Sequence, residues 1–134
     1  MTTLGPLRTA LFVPGNRPDP VDKAVNSGAD PVIIDLEDAV ALPEKEKTRL
    51  KVREKVFEHP DRRILVRVNG LNTPFFQGDL KEVIVGDPAG NMVPKVERVE
   101  DIHERIHQCR NPHEQVCRNH QVRSVRARLP GQYL

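Results

Sequence analysis

Residues 32–38 of this chain read Val-Ile-Ile-Asp-Leu-Glu-Asp. Three β-branched residues in a row predict a buried strand, and the acids that follow mark where it leaves the sheet. Side chains alternate along a strand, so Ile34 and Leu36 share one face while Asp35 and Glu37 share the other. In parallel α/β architectures, sites form at such carboxyl ends of strands.

Moving outward, the pattern occurs three more times. Leu11–Val13 runs into Phe12-Val13-Pro14-Gly15-Asn16-Arg17, Ile64–Val68 carries Val66-Arg67-Val68-Asn69-Gly70, and Met92–Val96 carries Val93-Pro94-Lys95-Val96-Glu97. Nearly continuous apolar runs of this length suit strands of a parallel sheet covered on both faces. Strands are expected at about 10–13, 32–36, 64–68 and 91–96, in sequential order. Between them lie helical spacings: Val21, Ala24 and Val25 after Pro18 and Pro20; Glu44–Glu58, with Leu50, Val52, Val56 and Phe57 among lysines and glutamates; Leu80, Val83 and Ile84; and Val99, Ile102 and Ile106. Strand and helix alternating about four times reads as an α/β fold of βαβ units. Pro43 near the start of the second helix, with Glu44 and Glu46 in its first turn, is the clearest helix-start signal.

The chain has 134 residues, enough for one domain with a core. A complete (β/α)₈ barrel needs about 250. Aromatics make up only 4% of the chain, which argues against a stacking surface for nucleic acid. No apolar run reaches the roughly 18 residues of a membrane span. The N-terminus lacks an apolar signal core and has only Arg8 as an early charge, and two cysteines make no disulfide framework. A soluble protein of the cytoplasm is the expectation, with neither membrane nor nucleic acid as partner. The net charge of +2 conceals a split: residues 1–107 hold 16 Lys and Arg against 18 Asp and Glu, and residues 108–134 hold five Arg and one Glu.

That split coincides with a change of character. Residues 108–134 contain no lysine and few aliphatics, show no fifth apolar strand, and carry Pro112 where the preceding helix would continue. The expected organisation is a folded unit over 1–107 and a basic, poorly structured tail over 108–134. Cys109, His113, Cys117 and His120 are a chemically valid zinc set, but their spacing matches no common finger and reads as chance. The tail arginines read as a solvated surface, and no phosphate-binding glycine loop or serine elbow is present.

Alternation places Asp35, Glu37, Arg67, Asn69, Lys95 and Glu97 on the face opposite the aliphatics, converging at the mouth of the sheet. Two readings follow: a self-neutralising structural network, or a site for an anionic, oxygen-rich substrate. Arg67 is the best single candidate for the second, because a guanidinium can pair a carboxylate bidentately.

The stretches RTALFVPGNRPD (8–19), GADPVIIDLEDAV (28–40) with PEKEKTR (43–49), VRVNGLNTPF (66–75) and VPKVERVEDI (93–102) resemble, in order and spacing, the first four strand signatures of the aldolase/citrate lyase superfamily, which includes citrate lyase β subunits and malyl-CoA and citramalyl-CoA lyases. The resemblance implies a partial TIM (β/α)₈ barrel of about four βα units and reversible cleavage of a 3-hydroxyacyl thioester of citryl, malyl or citramalyl type. The carrier would be coenzyme A or an acyl-carrier protein. It implies Mg²⁺ as cofactor, holding the oxo-acid as the carbon–carbon bond breaks. Arg67 would grip the substrate carboxylate, with Asn69 and Lys95 in substrate binding. Glu37 and Asp38 would sit by the reacting centre as partners of water or of the shell around the metal. Asn16 and Arg17 would hold the thioester carrier, and Glu97 would be an inward-facing support. The family's direct metal ligands follow its fifth and sixth strands, so no residue here is assigned as one. A truncated chain without turnover of its own is therefore expected, unless two half-barrels pair as a homo-oligomer. The alternative is a non-catalytic partial barrel that binds coenzyme A or a protein partner.

Overall fold

A computed structural model describes residues 6–103. The expected tail, with its cysteines, histidines and arginines, lies outside the described residues. Four strands form one sheet in the order β1 (Leu11–Pro14), β2 (Val32–Asp35), β3 (Ile64–Arg67) and β4 (Gly90–Met92), and every neighbouring pair is parallel. Helices α1 (Pro18–Val25), α2 (Lys45–Glu58) and α3 (Phe76–Val85) make the crossovers. This is the expected α/β architecture, a partial barrel of βα units. No helix among the described residues is long and apolar enough to cross a membrane.

Each helix begins where its sequence permits. Arg17 is extended, and prolines in the first turn of α1 pre-set the backbone without losing a needed N–H. Val21, Ala24 and Val25 are its buried stripe. Gly28, at φ 83°, then turns the chain back toward β2. In α2 the buried positions are Lys45, Thr48, Val52 and Val56, whereas Leu50 and Phe57 are exposed. The stripe advances by three and four residues, and those two lie off it.

The two faces of the sheet differ. Val13, Ile34, Val66 and Val68 pack with Val21, Val52, Val56, Phe76 and Val83 of the helices into the main core. On the opposite face a smaller apolar cluster forms from Ile33, Leu65 and Ala89, with Met92 against them. Phe12, in register with Ile33 on that face, is 49% exposed.

The fourth strand is shorter than expected. It ends at Met92 rather than near residue 96, because Pro94 has no N–H to donate and Lys95 takes a left-handed φ of 54°. The two-residue alternation therefore does not extend to Lys95, Val96 and Glu97.

Candidate active site

The strand exits are levelled by a stagger of backbone bonds. Gly15 N–H donates to the Asp35 carbonyl at 2.9 Å, Leu36 N–H to Arg67 at 2.9 Å, and Val68 N–H to Met92 at 3.1 Å. Gly15 is required here, since a Cβ would lie 2.7 Å from Val52 and 2.9 Å from the Asp35 carbonyl oxygen. The loops after the strands thus start at one height, which brings their polar residues together.

At the centre, Arg67 forks onto Asp35, with Nε donating to Oδ1 at 2.8 Å and Nη2 to Oδ2 at 2.7 Å. Asp35 also accepts the N–H groups of Glu37 and Ala39, both at 2.9 Å. Burial opposes its ionisation, but the Arg67 fork and the two amides outweigh burial and hold its pKa below the usual carboxylate range. The same hydrogen bonds raise Arg67 against the opposing effect of its own burial. The guanidinium lies 5.1 Å from the centre of the Phe12 ring. Its best bidentate pairing is therefore internal, and the Nη1 edge is what remains.

That edge faces Glu37, whose Oε2 is 3.5 Å from Nη1. This oxygen is buried and has no hydrogen-bond partner among the described residues. Lys95 closes the other side, its Nζ 2.8 Å from Glu37 Oε1 and 3.9 Å from Asp38 Oδ1. The hydrogen bond to Glu37 raises the Lys95 pKa. Asp38 is exposed, 3.9 Å from Arg67 Nη2. Glu37, Asp38 and Lys95 also line a cleft of about 470 Å³ between the loops after β2, β3 and β4.

The other expected residues fall as follows. Asn69 is buried, with its side chain accepting from Lys45 Nζ at 2.6 Å and donating to Asp79 Oδ2 at 2.6 Å. Asn16 donates to Glu44 Oε2 at 3.0 Å, while its Oδ1 is buried without a partner among the described residues. Arg17 is exposed beside it. Glu97 is not in the mouth: it is exposed, and its backbone N–H donates to Asp101 Oδ2 at 3.1 Å. The expectation of an inward-facing Glu97 fails with the early end of β4.

Sequence patterning missed a second row, buried Lys45 and Asp79 with the half-buried Arg49. Lys45 Nζ donates to the carbonyls of Leu36 at 2.9 Å and Glu37 at 2.7 Å as well as to Asn69. Burial lowers its pKa, and the surrounding acids only partly offset this. Asp79 is fully buried and 3.2 Å from Arg49 Nε. Burial raises its pKa despite two hydrogen bonds from Asn69. A signal existed: Asp79 lies three residues after Phe76 and four before Val83, on the apolar stripe of α3.

Four acids (Asp35, Glu37, Asp38, Asp79) and four cations (Lys45, Arg49, Arg67, Lys95) thus make a balanced cluster. It can receive an anion at the Arg67 and Lys95 edges, and Glu37 can accept a hydrogen bond at its Oε2. The residues of this cluster do not fit a Mg²⁺ site on their own. Asp35 has four hydrogen bonds on its two oxygens, and Glu37 lies between two fixed positive charges that would repel a divalent cation.

Comparison with known proteins gives this cluster a context. The chain is 41% identical over 99 residues to the citrate lyase subunit beta of Leuconostoc mesenteroides subsp. cremoris, a match covering 72% of this chain and 33% of that protein. It is 38% identical over 103 residues to an L-malyl-CoA/beta-methylmalyl-CoA lyase of Cereibacter sphaeroides, covering 73% and 32%. The fold superposes on the citrate lyase beta subunit of M. tuberculosis complexed with oxaloacetate and magnesium, with a TM-score of 0.65 at 33% identity, over 75% of this chain and 44% of that one. The chain therefore spans about a third of the length of the curated relatives it matches. The model of the HpcH/HpaI aldolase/citrate lyase family matches residues 8–127, running beyond the change of composition near residue 108. With that match, the parallel βα units and the ordered motifs at their exits, the chain belongs to the HpcH/HpaI aldolase/citrate lyase family.

Proposed function

We propose that this chain supplies the first strands of a Mg²⁺-dependent carbon–carbon lyase acting on a citryl-, malyl- or citramalyl-type 3-hydroxyacyl thioester. The observation that carries the reading is the placement of Arg67. Its guanidinium is fixed by Asp35 at the mouth of β3, partly exposed, with Nη1 turned toward a buried carboxylate oxygen of Glu37. A substrate carboxylate arriving there meets a cation already oriented and partly desolvated, so little order is lost on binding. Lys95 adds a second positive charge at the rim.

Cleaving a 3-hydroxyacyl thioester requires the hydroxyl proton to leave as the carbon–carbon bond opens; the bond's electron pair passes to the carbon next to the thioester carbonyl, and that carbon then takes a proton from water. Glu37 takes the hydroxyl proton, directly or through a water, since its Oε2 has no hydrogen-bond partner among the described residues and faces Arg67. Asp38 assists from the solvent side. Asn16 and Arg17 contact the carrier, coenzyme A or an acyl-carrier protein, from the loop after β1. Bound Mg²⁺ would steady the charge on the oxo-acid product. Its carboxylate ligands belong to a part of the barrel outside the described residues. The 134-residue chain alone then has no lyase turnover, and a cytoplasmic enzyme whose closed barrel needs further strands, from its own chain or a second copy, is the form in which it acts.

The test is a chimera in which residues 8–103 replace the matching third of the Leuconostoc citrate lyase subunit beta. Mg²⁺-dependent thioester cleavage that Arg67→Ala lowers by about a hundredfold or more is the expected result. A folded chimera whose turnover is indifferent to Arg67→Ala would refute the role. A folded chimera with no turnover would leave the non-catalytic partial barrel as the better reading.

A further inference from the structure

Lys45 is a buried cation that the proposed chemistry does not touch. It sits in the first turn of α2, where the helix dipole disfavours positive charge, and it is only 6% exposed. An ammonium taken out of water there is stable only if every proton is used. All three are: Leu36 O at 2.9 Å, Glu37 O at 2.7 Å and Asn69 Oδ1 at 2.6 Å. The first two carbonyls immediately follow the last residue of β2, and Asn69 lies two residues beyond β3. One charge therefore ties the exits of both strands at the depth where Glu37 and Arg67 meet.

We infer that Lys45 is a positioning residue for Glu37, fixing the backbone that aims its carboxylate and placing a positive charge beside it. The inference rests on the mouth being the reactive site, but its test needs no substrate. Glu37 is faced by Arg67 from β3, Lys95 from the loop after β4, Asp35 and Asp38 from its own segment, and Lys45 from α2. Lys45 in turn lies among Asp79, Asp35, Glu37 and Asp38. Losing the Lys45 charge leaves these acids with one cation fewer, so protonation of Glu37 becomes easier.

The experiment follows the Glu37 carboxyl carbon by NMR through a pH titration of the 134-residue chain, with the signal assigned by Glu37→Gln. Lys45→Met, close in size and uncharged, should move the Glu37 midpoint up, because a neighbouring cation is lost. Lys45→Arg should restore most of that shift, and the exposed-site control Lys81→Met should leave it unchanged. A folded Lys45→Met chain with an unmoved midpoint would overturn the inference. If Lys45→Met does not fold, the unsubstituted chain decides. The Lys45 ammonium nitrogen signal should step at the Glu37 midpoint, and a flat response there would equally overturn it. Failure of the lyase reading shows instead in the chimera, where turnover is measured and this titration is not.

Discussion

Two buried aspartates, each facing a guanidinium, stand on either side of the third strand and are driven in opposite directions. At the exits of β2 and β3, Asp35 receives four hydrogen bonds, two from the Arg67 fork and two from backbone amides. At the junction of β3 and α3, Asp79 Oδ2 receives two from Asn69, but among the described residues Oδ1 has only Arg49 Nε at 3.2 Å, outside hydrogen-bond geometry. The pKa of Asp35 is held down and that of Asp79 is pushed up. Burial pushes both upward, and it prevails at Asp79 but is outweighed at Asp35. What differs is how many donors reach the charged form, and whether the guanidinium presents its fork or one nitrogen.

The comparison breaks most visibly by removing one charge at a time. Asp35→Asn places an amide among donors that all need an acceptor, and should cost about 3 kcal/mol in urea unfolding. Asp79→Asn keeps an oxygen for Asn69 and should cost about 1 kcal/mol or less. A larger loss at Asp79 than at Asp35 would invert the account. The pH dependence sharpens it. The folded pKa of Asp35 lies below its unfolded value, so its stabilising contribution is full above about pH 4 and is lost as pH falls through the folded value. The folded pKa of Asp79 lies above its unfolded value, so its contribution is full below about pH 4 and is lost as pH rises through the folded value. Asp35→Asn should therefore flatten the acid limb of the stability profile, and Asp79→Asn the limb above it.

Much of this was legible in the residues. The four strands follow from short apolar runs at regular intervals, and the opposition of Ile34 and Val66 to Asp35 and Arg67 follows from the two-residue period. Legibility stops where the period stops. Pro94 and the left-handed Lys95 end β4 early, so Glu97 leaves the mouth. Lys95 reaches Glu37 by its long side chain and not by strand geometry. Lys45, Asn69 and Asp79 form a network joining a helix start, a strand exit and a helix face. No single periodicity spans three such elements, although an acid on the apolar stripe of α3 was a visible clue.

The smallest effect is expected at the solvent-facing cluster of Asp22, Lys55 and His59. Lys55 Nζ is 3.0 Å from Asp22 Oδ2, and His59 Nε2 is 3.1 Å from Oδ1. The hydrogen bonds from Lys55 and then His59 lower the Asp22 pKa, yet the carboxylate is 42% exposed and water screens the pair. Asp22→Asn should cost no more than about 0.5 kcal/mol in the same assay. A cost comparable to that of Asp35→Asn would show that depth is not what separates the clusters.

The central claim is that Arg67 grips a carboxylate at the mouth of the sheet, and calorimetry tests it most directly. Oxaloacetate is titrated into the 134-residue chain in the presence of Mg²⁺, alongside Arg67→Lys, which keeps the charge and loses the planar fork. The account predicts binding that weakens by about 1–3 kcal/mol in the variant. Equal affinity in the two chains would contradict it and remove Arg67 from the site.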